Sequence, residues 1–133
     1  MDEPETSDIV EYVVSGEFAP TVERIAAAIT GAGMMVFARI DHAAGARDTG
    51  MTMPPATVLI YGHAKGGTPI MLAAPLAALD LPLRVLVRQR EDGQTVIAYH
   101  PVAAMLRRAG VPKELAARLE PAQRLLVEAV APK

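Results

Sequence analysis

Apolar positions along the 133-residue chain recur at two spacings, and these spacings predict its elements. Short apolar or alternating runs are typical of β-strands, and apolar residues three or four positions apart are typical of helices. The strand pattern occurs at residues 9–14, 34–40, 57–61, 83–90 and 94–99. The helical pattern occurs at residues 20–31, 42–49, 68–79, 101–110 and 112–131. In the last segment, Pro121 is expected to break or restart the helix.

The clearest local signal lies between residues 83 and 99. Two alternating runs flank Glu91, Asp92 and Gly93, and an Asp-Gly pair in this place predicts a β-hairpin. Because the strands of a hairpin are antiparallel, we expect an α+β fold with an antiparallel-dominated sheet of about five strands. The helices are expected to pack mainly on one face of the sheet. A mixed α/β sheet is the alternative, since the pattern does not determine the strand order.

The length and composition are typical of one globular domain. Residues 1–8 contain four acidic residues and no apolar periodicity, so we expect a disordered acidic tail followed by a single domain over residues 9–133. The helical segment from about residue 112 is expected to form a C-terminal extension of that domain. The chain has no cysteine, which excludes disulfides, thiolate nucleophiles and cysteine-ligated metals.

The charge distribution argues against a nucleic-acid partner. The net charge is −2, but without the four acidic residues of the tail 11 acidic and 13 basic residues remain, which is far from a basic footprint. With two Phe, three Tyr and no Trp, few side chains can stack on bases. No apolar run approaches the roughly 18 residues of a membrane span, and the acidic N-terminal residues do not resemble a signal peptide. We therefore expect no membrane partner and a cytoplasmic location.

Several blocks of residues occur in an order that resembles a known family. They are ARIDH at 38–42, VLIYG at 58–62, KGGT at 65–68, ALDLPL at 78–83, and Tyr99 with Pro101. The family is the bacterial domain of unknown function family 302, and the resemblance covers residues 12–110, about three quarters of the chain. It implies a small α+β domain that is usually dimeric and has no accepted activity.

The chain departs from this family pattern at one place. Where the family usually has Asn-Pro after the glycine that ends a strand, this chain has His63 and Ala64. A role that depends on the Asn amide is therefore not carried over to this chain. A titratable imidazole stands in its place.

The segment from Gly62 to Pro69 is the main candidate for a binding site. Its glycines allow backbone N–H groups to point at a ligand, the predicted helix presents its positive N-terminal end, and Lys65 adds a charge. Together these features predict a site for a small anionic molecule, without catalysis. The candidate ligand-binding residues are Gly62, His63, Lys65, Gly66, Gly67 and Thr68. The alternative is a plain turn, in which the glycines reverse the chain and Thr68 caps the helix.

A second hypothesis is an acid–base enzyme. The candidate catalytic residues are Asp41, His42, His63 and Tyr99, with Lys65 beside them. Asp41 and His42 follow one predicted strand and His63 follows another, so proton transfer requires that these strand ends converge. The alternative for Asp41 is capping of the short helix that follows it. Three histidines without regular spacing do not predict a metal site, and no cofactor is indicated.

A third hypothesis is a structural or partner-binding homodimeric module. The apolar stripe between residues 115 and 130 is then expected to dock on another chain. Arg84 and two further arginines share one face of the hairpin, which fits either a solvated face or an anionic partner. Asp80 is expected to cap backbone N–H groups or to pair with an arginine such as Arg39 or Arg47.

Overall fold

The computed structural model describes residues 8–131. Its strands are β1 (Val10–Val14), β2 (Met35–Asp41), β3 (Ala56–Gly62), β4 (Leu83–Gln89) and β5 (Thr95–Tyr99). Its α-helices are α1 (Phe18–Gly31), α2 (His42–Asp48), α3 (Ala64–Ala73), α4 (Val102–Arg107), α5 (Lys113–Ala116) and α6 (Glu120–Val130), and 3-10 helices lie at Pro75–Leu79 and Ala117–Leu119. The acidic tail predicted for residues 1–8 falls outside the described residues, apart from Asp8. Within residues 8–131 no helix is both long and apolar enough to cross a membrane.

The five strands form one sheet in the order β1-β5-β4-β3-β2, and every neighbouring pair is antiparallel. The expected α+β fold is therefore confirmed, and the mixed-sheet alternative is wrong. The hairpin between β4 and β5 is also confirmed. The backbone N–H of Arg90 donates to the carbonyl of Gln94 at 2.8 Å. Gly93 adopts a φ of 88°, a conformation that a glycine supplies without steric cost.

Alternate residues of the central strands face the helices and form the core. Leu59, Val85 and Ile97 are fully buried on this side of the sheet. Ile25 of α1 and Leu126 of α6 are also fully buried in the same cluster. Burial of side chains of this size contributes about 1.5–3 kcal/mol each to the hydrophobic stabilisation. The helical layer therefore covers mainly one face of the sheet, with α1 and α6 packed against each other.

The C-terminal segment belongs to this core. Helix α6 begins at Glu120 and has Pro121 in its first turn, so the predicted restart of the helix is confirmed. Ala116, Leu126 and Val130 are members of the core cluster. Because these side chains of the apolar stripe pack inside their own chain, they are not available to dock on another chain. A C-terminal extension from about residue 112 stays a prediction.

Helix α3 begins earlier than the sequence pattern predicts. The pattern makes Thr68 the cap, whereas the helix runs from Ala64 to Ala73. Gly66 and Gly67 therefore lie in its first turn, and their backbone N–H groups donate to the carbonyl of His63. These two N–H groups are therefore engaged in the helix and do not point at a ligand. Binding of an anion by residues 62–68 stays a prediction.

Candidate functional site

A pocket of about 470 Å³ lies at the end of the sheet where β3 leads into α3. The start of α3, the segment before β4 and the start of α6 supply most of its wall. Most of the lining side chains are apolar: Ala32, Met34, Phe37, Ala64, Met71, Leu81, Pro82, Leu83, Leu119, Pro121, Ala122 and Leu125. A mainly apolar pocket of about 300–1,000 Å³ is typical of a small-molecule site. This pocket is therefore the candidate functional site.

The pocket contains most of the residues that the sequence singled out for binding. The lining includes Gly62, His63, Gly66, Gly67 and Thr68. Lys65 is exposed and does not belong to the lining. The structure thus brings the predicted residues together, but as the start of a helix beside an apolar pocket.

His63 holds the start of α3. Its Nδ1 accepts a hydrogen bond from the backbone N–H of Lys65 at 3.0 Å, which makes His63 the N-cap of the helix. This role explains the departure from the family pattern, because Asn is a preferred N-cap residue and Pro is preferred at the next position, taken here by Ala64. A neutral imidazole that accepts at Nδ1 carries its proton on Nε2. Nε2 is therefore the ring atom that can donate to a ligand.

Two glycines leave room for the pocket. A Cβ atom on Gly66 would lie 3.6 Å from Cδ2 of Leu119, and one on Gly67 would lie 3.7 Å from Cε of Met71. Both are ordinary van der Waals distances, so a methyl group fits at either position. A longer side chain would extend into the space that forms the pocket.

Arg118, His63 and Thr68 supply polar groups to an otherwise apolar wall. All three residues are exposed, which places them at the mouth of the pocket. A guanidinium keeps its charge throughout the physiological pH range and pairs well with carboxylate or phosphate oxygens. Sequence reasoning missed Arg118, because it lies on a different element from His63 and no local pattern connects the two.

A hydrogen bond connects the sheet to α6 next to this pocket. Tyr61 is fully buried, and its hydroxyl donates to the carbonyl oxygen of Ala122 at 2.8 Å. Burial raises the pKa of the Tyr61 hydroxyl above its ordinary value of 10.0, and the nearby Tyr99 raises it further. Tyr61 is therefore protonated, and remains a donor, throughout the physiological pH range.

The candidate acid–base residues lie at opposite ends of the sheet. Gly62, which precedes His63, pairs with Met35 at the start of β2, whereas Asp41 is the last residue of that strand. The six residue steps from Met35 to Asp41 span about 20 Å. The structure therefore does not bring Asp41 and His42 together with His63, so an acid–base pair formed across these two strand ends is not supported. A role of His63 with Lys65 or Tyr99 stays a prediction.

One of the other candidate residues, Asp41, has a structural role. Oδ1 of Asp41 accepts a hydrogen bond from the backbone N–H of Ala44 at 2.9 Å, so Asp41 caps α2, which is the alternative the sequence offered. Tyr99 is partly buried at the end of β5, and this burial raises its pKa. Among residues 8–131 no three His, Asp or Glu side chains are grouped as metal ligands.

The model of the family described as "Domain of unknown function DUF302" matches residues 10–131. The chain belongs to the DUF302 family. The fold agrees with this assignment, because the chain is similar to the crystal structure of an uncharacterized conserved DUF302 protein from Bacillus stearothermophilus. The TM-score is 0.80 at 20% sequence identity, over 92% of this chain and 95% of the other. At this identity the likeness shows a shared DUF302 fold.

Two sequence relatives of this DUF302 chain are longer proteins with a named activity. The chain is 37% identical over 90 residues to the fluoride-specific ion channel FluC 1 of Brucella suis biovar 1 and to that of Brucella abortus biovar 1. The match covers 68% of this chain but 35% and 33% of those two proteins. The chain thus corresponds to about a third of the length of the curated relatives it matches.

Proposed function

We propose that this DUF302 domain binds a small amphipathic anion in the pocket between α3 and α6, without a catalytic step. The observation that supports the proposal most is an apolar wall with Arg118 and His63 at its mouth. The proposal keeps the small anionic ligand expected from the sequence. It changes the groups that hold the ligand, from backbone N–H groups and Lys65 to the Arg118 guanidinium and the His63 imidazole.

The lining of the pocket indicates the class of ligand. A compact inorganic anion would leave the apolar wall unfilled, and burial of that wall by hydrocarbon is favourable by about 25 cal/mol per Å². A purely apolar ligand would leave the Arg118 guanidinium without a partner from the ligand. A carboxylate with a hydrocarbon chain of about ten carbons satisfies both parts of the site.

Thermal-shift measurements with decanoate and decanol separate the two parts of this proposal. Both compounds can fill an apolar wall, but only decanoate can form an ion pair with Arg118. We expect decanoate to raise the melting temperature more than decanol does, and Arg118→Gln to remove the difference. Arg124→Gln is the matched control, because Arg124 is exposed on α6 and does not line the pocket. An equal rise in melting temperature with decanoate and decanol would contradict the proposal. So would an equal loss of the decanoate effect in Arg118→Gln and Arg124→Gln.

A homodimer is part of the same proposal. On the sheet face away from α1 and α6, Ile60 and Leu86 are half-buried and Ile40 is 42% exposed. A second copy that covers this face would remove its apolar surface from water. We expect a dimer by light scattering, and a monomer after Ile40→Glu. A monomeric mass for the unaltered chain at about 100 µM would reject the dimer.

The cytoplasm is the proposed location of the protein. The absence of cysteine fits a compartment in which disulfides do not form. Fractionation of cells that produce the tagged chain tests this location. Recovery of the chain in the membrane fraction or the medium would contradict it.

A second candidate function is a module that works together with a fluoride channel. The 37% identity to part of proteins named fluoride-specific ion channels favours it. In this candidate the contact surface is a leucine ridge formed by Leu72, Leu76 and Leu79, which are 79%, 71% and 81% exposed. Biolayer interferometry with a detergent-solubilised fluoride channel tests it, with Leu76→Ser expected to weaken binding. No binding, or binding that the substitution leaves unchanged, would reject this candidate.

A further inference from the structure

A second pocket, of about 340 Å³, lies beside the first one, and Leu83 lines both. Its wall differs from that of the first pocket because it carries several charged or polar side chains. They are Asp80, Arg84, His100, Arg108 and Gln123. Asp80 follows the 3-10 helix before β4, Arg84 lies on β4, His100 follows β5, Arg108 follows α4 and Gln123 lies on α6. Convergence of such groups from separate elements is typical of a binding site.

Gln123 fixes the backbone at the base of this polar pocket. Its Nε2 donates to the carbonyl oxygen of His100 at 2.7 Å, and its Oε1 accepts from the backbone N–H of Val102 at 3.0 Å. Gln123 is buried, so water does not compete strongly for these bonds. The backbone that carries His100 is therefore held in place without a ligand.

Arg84 and Asp80 give the polar pocket one positive and one negative group, which suits a ligand that carries both an oxyanion and a hydrogen-bond donor. Among residues 8–131 no carboxylate oxygen lies within 4.0 Å of the Arg84 guanidinium nitrogens. A guanidinium in a cleft is suited to pair through two hydrogen bonds with a carboxylate or phosphate.

We propose that the polar pocket binds the oxyanion of a small metabolite through Arg84. Asp80 accepts a hydrogen bond from a hydroxyl or amino group of the same molecule. This site is separate from the apolar pocket, because the wall of the latter includes neither Asp80 nor Arg84. The ligand class is accordingly a small carboxylate or phosphate that also carries a hydrogen-bond donor.

Titration followed by amide NMR shifts tests the proposal with two probes, inorganic phosphate and lactate, at constant ionic strength. We expect at least one probe to give saturable shifts at the amides of Asp80, Arg84 and His100, with a dissociation constant of roughly 1 mM. The stronger probe identifies the oxyanion as phosphate or carboxylate. Shifts that do not saturate with either probe would overturn the proposal.

Three variants locate the anion. Arg84→Gln is expected to weaken binding about tenfold, because a hydrogen-bonded charge partner is lost. Arg90→Gln is the matched control, since the Arg90 guanidinium pairs with Asp92 at the hairpin turn, and it should leave the affinity unchanged. Asp80→Asn should tighten phosphate binding several-fold, since it removes a like charge. An equal loss of affinity in Arg84→Gln and Arg90→Gln would overturn the proposed site. An unchanged phosphate affinity in Asp80→Asn would overturn it as well.

The two proposals fail separately. Arg84→Gln is expected to leave decanoate binding in the apolar pocket unchanged. Loss of decanoate binding in this variant would show that the two pockets are not independent, and would overturn the separate oxyanion site.

Discussion

The Tyr61 hydroxyl donates its hydrogen bond to the carbonyl oxygen of Ala122, and this bond joins the central strand β3 to the helix beside the apolar pocket. Tyr61 is fully buried, so water does not replace the bond when it is lost. Arg118 lies just before the same helix. The wall of the pocket therefore depends on a bond at its edge as well as on its own lining.

Tyr61→Phe removes this hydrogen bond and keeps the ring. We expect the free energy of unfolding to fall by about 1–2 kcal/mol, because a buried carbonyl loses a partner. Urea titration measures the change. Tyr12→Phe is the control, since Tyr12 is 43% exposed, and its effect should stay within about 0.5 kcal/mol. Equal effects of the two substitutions would contradict this role of Tyr61.

The same tyrosine predicts a loss of stability in alkaline solution. Its pKa in the folded chain lies above 10.0, so the unfolded chain releases this proton first as the pH rises. The contribution of Tyr61 to the free energy of unfolding is therefore complete below about pH 10 and decreases above it. Urea titrations between about pH 9 and 11 should show a shallower decrease for Tyr61→Phe than for the unaltered chain. If the free energy of unfolding falls with pH at the same rate in both chains, groups other than Tyr61 cause the decrease.

The N-cap of α3 predicts different effects of two substitutions at His63. His63→Ala removes the acceptor of the Lys65 N–H and should lower the free energy of unfolding by about 1 kcal/mol. His63→Asn should keep the stability of the unaltered chain, because the Asn side chain accepts the same bond. Thermal unfolding measures both variants. A loss with Asn as large as that with Ala would show that capping is not the role of His63.

The glycines of α3 predict that stability and ligand binding change in opposite directions. Gly66→Ala should raise the free energy of unfolding by about 0.5–1 kcal/mol, because alanine favours the helix and its Cβ fits beside Leu119. It should also weaken decanoate binding, since the methyl group narrows the pocket. Gly62→Ala is the contrasting variant: Gly62 has a φ of 155°, so this substitution should destabilise the chain. Denaturant titration measures the free energy of unfolding of both variants, and calorimetry measures the affinity for decanoate. Tighter decanoate binding with Gly66→Ala would contradict a narrowed pocket.

Two buried threonines predict opposite effects of the same substitution. The hydroxyl of Thr95 is buried and has no hydrogen-bond partner among residues 8–131, whereas that of Thr21 donates to the carbonyl of Glu17 at 2.7 Å. Thr95→Val should raise the free energy of unfolding by about 1 kcal/mol, because it removes an unpaired polar group. Thr21→Val should lower it by a similar amount. A loss with Thr95→Val in urea titrations would indicate that its hydroxyl has a partner after all.

The sheet was largely predictable from the sequence, because its signals are local. The alternating runs on either side of Gly93 and the apolar run that ends at Gly62 determine β3, β4 and β5 without reference to distant residues. Antiparallel pairing followed from the hairpin. The start of α3 was not predictable, because Gly66 and Gly67 favour a turn by their local preferences, while the His63 cap and the burial of Ile70 stabilise a helix there.

The candidate site was predictable only in part, for a similar reason. His63 and the two glycines of α3 stand in one short segment and attract notice together. Arg118 and Leu81 reach the same pocket only through the packing of α6 and the segment before β4 against the sheet. Leu81 and the other apolar lining residues look like ordinary core positions in a sequence. Their placement around the pocket changed the proposed ligand from a small anion to an amphipathic one.

The pocket between α3 and α6 is proposed to hold an amphipathic anion. Intermolecular nuclear Overhauser effects between the methylene protons of decanoate and the methyl groups of the chain test it most directly. We expect strong effects to Leu81, Leu119 and Leu125, which line the pocket, and none to Leu76 on the exposed ridge. Effects to Leu76 alone, or none to the three lining leucines under saturating decanoate, would contradict binding in this pocket.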